Sequence, residues 1–215
     1  MIEIFDIEDT SFLKQYEQEL MEQEEKVQMA GAKMLFNLPQ YQMRQDITKR
    51  LFSHFDNLFY PDYIRVDHTS YIFRFKPDTP TMLPHVDFDL ETCKHIKDKA
   101  KRVIIYVNPV WDTKWKGGTY FDAFENHKVN SRSVARTPKA KFMEQATYVE
   151  NVPGRAVVFD PDELHLPDEC SGNNVQRLTF AGLIVHPDYR YIMDELEGPD
   201  NINGSSVTRV SSPQM

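Results

Sequence analysis

The sequence predicts a mainly β protein with helices at its N-terminal end, and three observations predict it. Good helix formers (Glu, Gln, Leu, Met and Lys) crowd the early part of the chain. From Tyr63 onward the chain breaks into short runs rich in β-branched and aromatic residues. Pro, Gly, Asp and Asn punctuate those runs. Helices first and strands afterwards point to a β-sandwich or barrel buttressed by helices on one face. A chain of 215 residues holds one domain comfortably and two only with difficulty. The expected division is a single domain over 1–197, with helical support in 1–60 and a β core in 63–186. A flexible tail follows over 198–215, beginning Gly198-Pro199-Asp200-Asn201.

Taken in order, Thr10-Ser11 is a helix cap and residues 11–30 form the first helix. Pro39 opens a second helix, in which Ile47, Leu51, Phe55 and Leu58 make one apolar stripe that packs on the sheet. The expected strands are Tyr63–Val66, Ser70–Phe75, Val103–Val107, Thr119–Phe121, Thr147–Val149, Ala156–Phe159 and Leu178–Val185. Two stretches look like insertions. Asp89–Arg102 carries Lys94, Lys97, Lys99, Lys101 and Arg102, and is expected to cross the barrel mouth; Ala123–Gln145 is polar and long. Their basic residues read as solvated loop faces, with attraction of an acidic substrate as the alternative.

Composition narrows the function classes. Hydrophobic residues make up 40% and charged residues 27%, as in an ordinary globular protein. A net charge of -8 and a pI near 5.4 argue against nucleic acid as the main partner, since that needs a concentrated basic surface. No apolar run approaches the roughly 20 residues that span a bilayer. The acidic start, Met1-Ile2-Glu3-Ile4-Phe5-Asp6, lacks the form of a secretory signal. Cys93 and Cys170 belong to no C-x-x-C, so a disulfide scaffold and a thiolate zinc site are not expected. The expected location is the cytoplasm.

The chemistry concentrates in His85-Val86-Asp87, His165 and Arg177. Strand alternation sends His85 and Asp87 to one face and Val86 to the other. His165 follows the buried run Ala156–Phe159 through a short polar loop, so a second strand delivers it. Two imidazoles and one carboxylate can occupy one face of an octahedral ion and leave the other open, a set that suits Fe(II) and would also accept zinc. Arg177 opens the last strand, and its guanidinium fork matches a carboxylate in two places. Thr179, two residues on, shares its strand face and adds a hydroxyl.

The landmarks Tyr71 to Asp87, Arg102-Val103-Ile104-Ile105-Tyr106-Val107-Asn108-Pro109-Val110-Trp111, Gly117-Gly118-Thr119-Tyr120-Phe121, Pro153-Gly154 to Phe159, His165 and Arg177 occur in that order. Together they resemble the Fe(II)/2-oxoglutarate-dependent oxygenases over roughly residues 63–186, most nearly the prolyl 4-hydroxylase-like branch. The resemblance implies a double-stranded β-helix (jelly-roll, cupin-like) core with Fe(II) on His85, Asp87 and His165. It places 2-oxoglutarate against Arg177, Tyr106 and Thr179, with O2 as oxidant and ascorbate as a candidate reductant. A family tyrosine ten residues before the first iron ligand is Phe75 here, which leaves one co-substrate hydrogen bond missing or supplied by Tyr71 or Arg74. Arg74, Asn108 and Trp111 are the candidate substrate contacts, and Trp111, Trp115 and Tyr120 either line a channel or simply pack.

The implied activity is hydroxylation of a C–H bond, most nearly of a prolyl residue in a peptide or protein, with succinate and CO2 as co-products. A free amino acid or other small metabolite is the alternative acceptor. A non-catalytic cupin-like metal-binding or sensor protein is the alternative of another class, and it would not need Arg177. A nucleic-acid demethylase would carry R-x-N-x-T-x-R where Arg177-Leu178-Thr179-Phe180-Ala181-Gly182-Leu183 stands, and a zinc hydrolase of the H-E-x-x-H kind lacks its motif.

Overall fold

A computed structural model describes residues 2–21, 27–29, 32–34, 50–51, 53–55, 62–75, 83–88, 90–122, 137–171 and 175–192 of the chain. Strand β1 (Ile2–Asp6) and helix α1 (Leu13–Met21) come first. The short strands β2 (Val27–Met29) and β3 (Ala32–Met34) pair with each other, and the long strand β4 (Ile64–Phe75) follows. Next come α2 (Leu90–Ile96), β5 (Ala100–Tyr106), β6 (Thr119–Phe121) and α3 (Lys139–Gln145). The described chain closes with β7 (Thr147–Val149), β8 (Arg155–Phe159), β9 (His165–Pro167) and β10 (Arg177–Val185).

The strands form a seven-stranded sheet in the order β1-β8-β5-β10-β4-β3-β2 and a three-stranded sheet in the order β7-β6-β9. A mutual backbone bridge between His85 and His165, with both N···O distances 2.9 Å, adds a fourth position beside β9. Every residue of β10 is buried, because the strand lies between β5 and β4 and is covered on both faces. Leu178, Phe180 and Ile184 share one apolar cluster with Val103 and Ile105 of β5, with Val107 just after it, and with Leu13, Tyr16, Leu51 and Phe55. Leu13, Leu51 and Phe55 are fully buried there, each contributing about 1.5–3 kcal/mol. The other face of the large sheet packs Ile104, Tyr106, Val157, Phe159 and Ala181 against Phe121 and Val149 of the small sheet. Helices on one face and a second sheet on the other leave the space between the sheets for the site.

Several expectations change. The first helix is Leu13–Met21 rather than 11–30, and Val27–Met29 and Ala32–Met34 are strands. Segment 1–60 therefore contributes strands as well as helical support. Its strands form because β8 and β4 offer unpaired backbone edges, which outweigh modest local propensity. Tyr63–Val66 and Ser70–Phe75 merge into the single strand β4. Asp89–Arg102 is no loop across the mouth: it holds α2 and the start of β5, and Lys97 and Lys101 pair with Asp162 and Asp160. The polar stretch Ala123–Gln145 ends in α3. The expected helix opening at Pro39, Ile47, Leu58, the 123–136 part of the polar stretch and the tail 198–215 lie outside the described residues. Among the described residues no helix is long and apolar enough to cross a membrane.

Candidate active site

Three ligand atoms, one each from His85, Asp87 and His165, lie within 4.8 Å of one another. Oδ1 of Asp87 stands 3.9 Å from Nε2 of His85 and 3.8 Å from Nε2 of His165. The two imidazole centroids are 4.6 Å apart. Each ring turns its Nδ1 to a backbone carbonyl two residues upstream: His85 to Leu83 at 2.8 Å and His165 to Glu163 at 3.1 Å. A carbonyl only accepts, so each Nδ1 carries the proton and each Nε2 keeps its lone pair for a metal. Donors bonded at right angles to one first-row ion at about 2.0–2.2 Å stand about 3 Å apart. The observed spacing closes to that with side-chain shifts below an ångström, so the residues fit a 2-His-1-carboxylate ion.

The carboxylate is held from behind. Arg102 on β5 donates its Nε–H to Oδ2 of Asp87 at 2.7 Å, leaving Oδ1 toward the imidazoles. Burial alone would raise the Asp87 carboxyl, but the charges of Arg102, His165 and His85 and the Arg102 hydrogen bond outweigh it, and the group stays well below the usual carboxylate range. Burial pushes His165 down to about 4, against the partial pull of Asp87 in the other direction.

A second cluster lies along the same wall. Arg177 is 1% exposed, and its Nε donates to Oγ1 of Thr179 at 2.9 Å. Its Nη2 reaches Oγ1 of Thr119 at 3.5 Å and its Nη1 the Asp168 carbonyl at 3.4 Å. The Tyr106 hydroxyl donates to Thr119 Oγ1 at 2.9 Å, and the Tyr106 ring lies 5.5 Å from the guanidinium carbon. Register explains the meeting, since Thr179 is opposite Tyr106 across β10 and β5. Burial raises the Tyr106 phenol, which keeps it a donor.

The backbone beside Arg177 needs glycine. Gly117 has φ +73°, and a Cβ there would meet Trp111 Cζ2 at 2.8 Å. A Cβ on Gly118 would fall on the Val149 carbonyl oxygen and 2.7 Å from Tyr148 Cζ. Because the obstacle is sheet backbone, Gly118→Ala is expected to destabilise the protein by about 3 kcal/mol or more. Thermal unfolding checks this; an unchanged midpoint would mean that β6 and β7 part easily.

No protein-family model and no curated protein matches the chain. Solved structures do. The epimerase SnoN from nogalamycin biosynthesis, in complex with Fe3+, alpha-ketoglutarate and nogalamycin RO, is similar with a TM-score of 0.61 and 14% identity, over 100% of this chain and 91% of that one. HygX from Streptomyces hygroscopicus, with nickel and 2-oxoglutarate bound, is similar with a TM-score of 0.58 and 12% identity, over 86% of this chain and 83% of that one. A Pseudomonas putida prolyl-4-hydroxylase is similar with a TM-score of 0.51 and 12% identity, over 86% of this chain and 92% of that one. The chain has the fold of the Fe(II)/2-oxoglutarate oxygenases.

Within that fold the structure brings His85, Asp87 and His165 together, and Arg177, Tyr106 and Thr179 together. Of the candidate substrate contacts, Asn108 and Trp111 are described, and each bonds neighbouring backbone. Asn108 is 3% exposed and works as a clamp: its amide donates to the Gln176 carbonyl at 2.9 Å and accepts from the Leu178 N–H at 2.7 Å, fixing the start of β10. Trp111 donates Nε1–H to the Lys116 carbonyl and meets Trp115 edge-on, with centroids 5.5 Å apart. Arg74 is opposite Leu178, whereas Phe75, Phe73 and Tyr71 are opposite Arg177, Thr179 and Ala181. Sequence reasoning missed Thr119, which joins Arg177 to Tyr106, and Arg102, which it placed in a loop. A signal existed for Arg102: it precedes Tyr106 by four residues, so alternation in one strand puts both on one face.

Neutral His165 contributes to the acid sensitivity of the metal-free protein. Unfolded, it takes a proton near pH 6.5, as an ordinary histidine does; folded, it resists until about pH 4. Stability is therefore expected to fall as pH drops from about 6.5 to about 4, by on the order of 3 kcal/mol, and this contribution is constant below that. Urea unfolding of the wild type against His165→Asn isolates the effect. Parallel curves across that interval would show that His165 titrates normally.

Proposed function

We propose that the protein is an Fe(II)- and 2-oxoglutarate-dependent dioxygenase that hydroxylates a C–H bond, with succinate and CO2 as co-products. The observation that carries this reading is the convergence of His85, Asp87 and His165 beside the buried group of Arg177, Thr179, Thr119 and Tyr106. Bound iron would supply the dioxygen chemistry, coupled to loss of CO2 from the 2-oxo acid. The chain's part is to hold three ligands on one side of the ion and keep the other side open. Arg177 pairs with the distal carboxylate of the co-substrate, and the Thr179, Thr119 and Tyr106 hydroxyls fix its oxygens. Burial at 1% exposure keeps water from weakening that pair.

For the acceptor, a prolyl residue of a peptide or protein is supported by the spacing from Tyr106 to Gly118 and by the likeness to the prolyl-4-hydroxylase. A small-metabolite acceptor is supported by the somewhat higher TM-score to SnoN, whose complex holds nogalamycin RO. A reducing cytoplasm is supported by the free cysteines Cys93 and Cys170.

The test needs no acceptor. Anaerobic titration of the metal-free protein with Fe(II) and then 2-oxoglutarate is expected to give the visible metal-to-ligand charge-transfer band of the chelate. Iron binding without that band would turn the reading to a cupin-like metal-binding or sensor protein. Mass spectrometry for one added oxygen, on proline-containing peptides and on small acids, then separates the acceptors.

A further inference from the structure

The use Arg102 makes of its guanidinium is incomplete. The side chain is 6% exposed, yet its Nε–H bond to Asp87 is its one hydrogen bond among the described residues. The group has five N–H donors in a planar fork, and one faces Asp87. The ring of Phe88, 5.4 Å from the guanidinium carbon, covers a face of the cation and accepts none of the Nη hydrogens in its plane. The Nη atoms are not among the described buried side-chain atoms without a partner, so this edge of a nearly buried cation keeps contact with solvent and an anion can reach it. The Nη edge is thus an anion-binding edge, directly behind an iron ligand.

Its position says which anion. Arg102, Ile104 and Tyr106 share one face of β5, and Arg102 is opposite Leu183 where Tyr106 is opposite Thr179. Four residues at about 3.3 Å each put Arg102 about 13 Å along the strand from Tyr106. Arg177 and Thr179 mark the Tyr106 end, and Asp87 marks the Arg102 end. A co-substrate anchored on Arg177 and reaching the metal leaves the Arg102 edge on the far side of the ion from its anchored carboxylate.

We propose that the Nη edge of Arg102 binds a carboxylate of the acceptor, so that the substrate is a small carboxylic acid held by its acid group beside the metal. This rests on the proposed function for the identity of metal and co-substrate. The same edge holds Asp87 through Nε, so acceptor binding and ligand orientation share one side chain. A neutral internal prolyl residue has no group of this charge to offer, whereas a free amino acid does.

The probe is acetate, titrated by calorimetry into the anaerobic Fe(II) protein with 2-oxoglutarate bound, the chelate band recording the metal and co-substrate in the same sample. Acetate is expected to bind while the band persists, and to bind at least about tenfold more weakly in Arg102→Lys, which keeps a cation for Asp87 but loses the planar fork. Arg102→Gln is expected to lose acetate binding, with thermal unfolding confirming that both variants are folded. Acetate binding as tight in both variants as in the wild type would overturn the proposal, as would no binding to the wild type. Acetate that binds the Fe(II) protein and is expelled by 2-oxoglutarate would assign the edge to the co-substrate and overturn the acceptor reading. A chelate band that never forms would instead overturn the proposed function, and acetate titration of the Fe(II) protein alone would still report on Arg102.

Discussion

His165→Ala is expected to lose the proposed iron binding and turnover together. The substitution removes one of the three proposed metal donors and leaves two, while the backbone bridge to His85 is untouched because it uses main-chain atoms. The expected loss of metal affinity exceeds the roughly 10–100-fold that removal of an outer-shell partner costs. His165 is 3% exposed and packs 5.2 Å from Phe159 and 6.1 Å from Phe121, so the variant also leaves a cavity and is expected to unfold at a lower temperature. Iron content after desalting and succinate production both check the result. Stoichiometric iron with normal turnover in the variant would remove His165 from the ligand set.

Arg177→Ala separates co-substrate from metal. Truncating one member of a buried, hydrogen-bonded charge pair costs about 2–5 kcal/mol. The 2-oxoglutarate requirement is therefore expected to rise on the order of a hundred- to a thousandfold. Iron affinity should change little, because Arg177 contacts Thr179, Thr119 and the Asp168 carbonyl rather than the three ligands. Arg177→Lys restores the charge without the fork and is expected to recover part of the loss. The chelate band measured against 2-oxoglutarate concentration reads both variants. A band that saturates at the wild-type concentration in Arg177→Ala would move the co-substrate anchor elsewhere, with Arg102 the next cation to test.

The site was more legible in the sequence than the periphery of the fold. The step of two from Arg177 to Thr179 follows alternation within β10, whereas His85 and Asp87 meet with His85 in an isolated bridge and Asp87 in a bend rather than in the expected strand. Strands β6 and β7 matched residue for residue, because their aromatic and β-branched runs are bounded by glycines and a helix end. Strands β1, β2 and β3 were not legible. Ile2–Asp6 pairs with β8, which lies some 150 residues away in sequence, and Lys33 pairs with Arg74. Arg102 was misplaced because five basic residues between 94 and 102 read as a polar loop. Its burial became evident only when Asp87 was found opposite it.

By itself the sequence determined the ingredients: a helix-then-strand order, two imidazoles and a carboxylate with strand spacing, and an arginine with a threonine on its own face. Those are local properties, set by side-chain period and backbone propensity. The tertiary structure alone decided which atoms meet. It turned both Nδ1 atoms to carbonyls so that both Nε2 atoms face Asp87, and it made Asn108 a clamp on β10. It also joined Arg177 to Tyr106 through Thr119 and set Arg102 behind the metal carboxylate. Such contacts depend on strand register between segments far apart in the chain, where a slip of one residue would send each side chain to the opposite face.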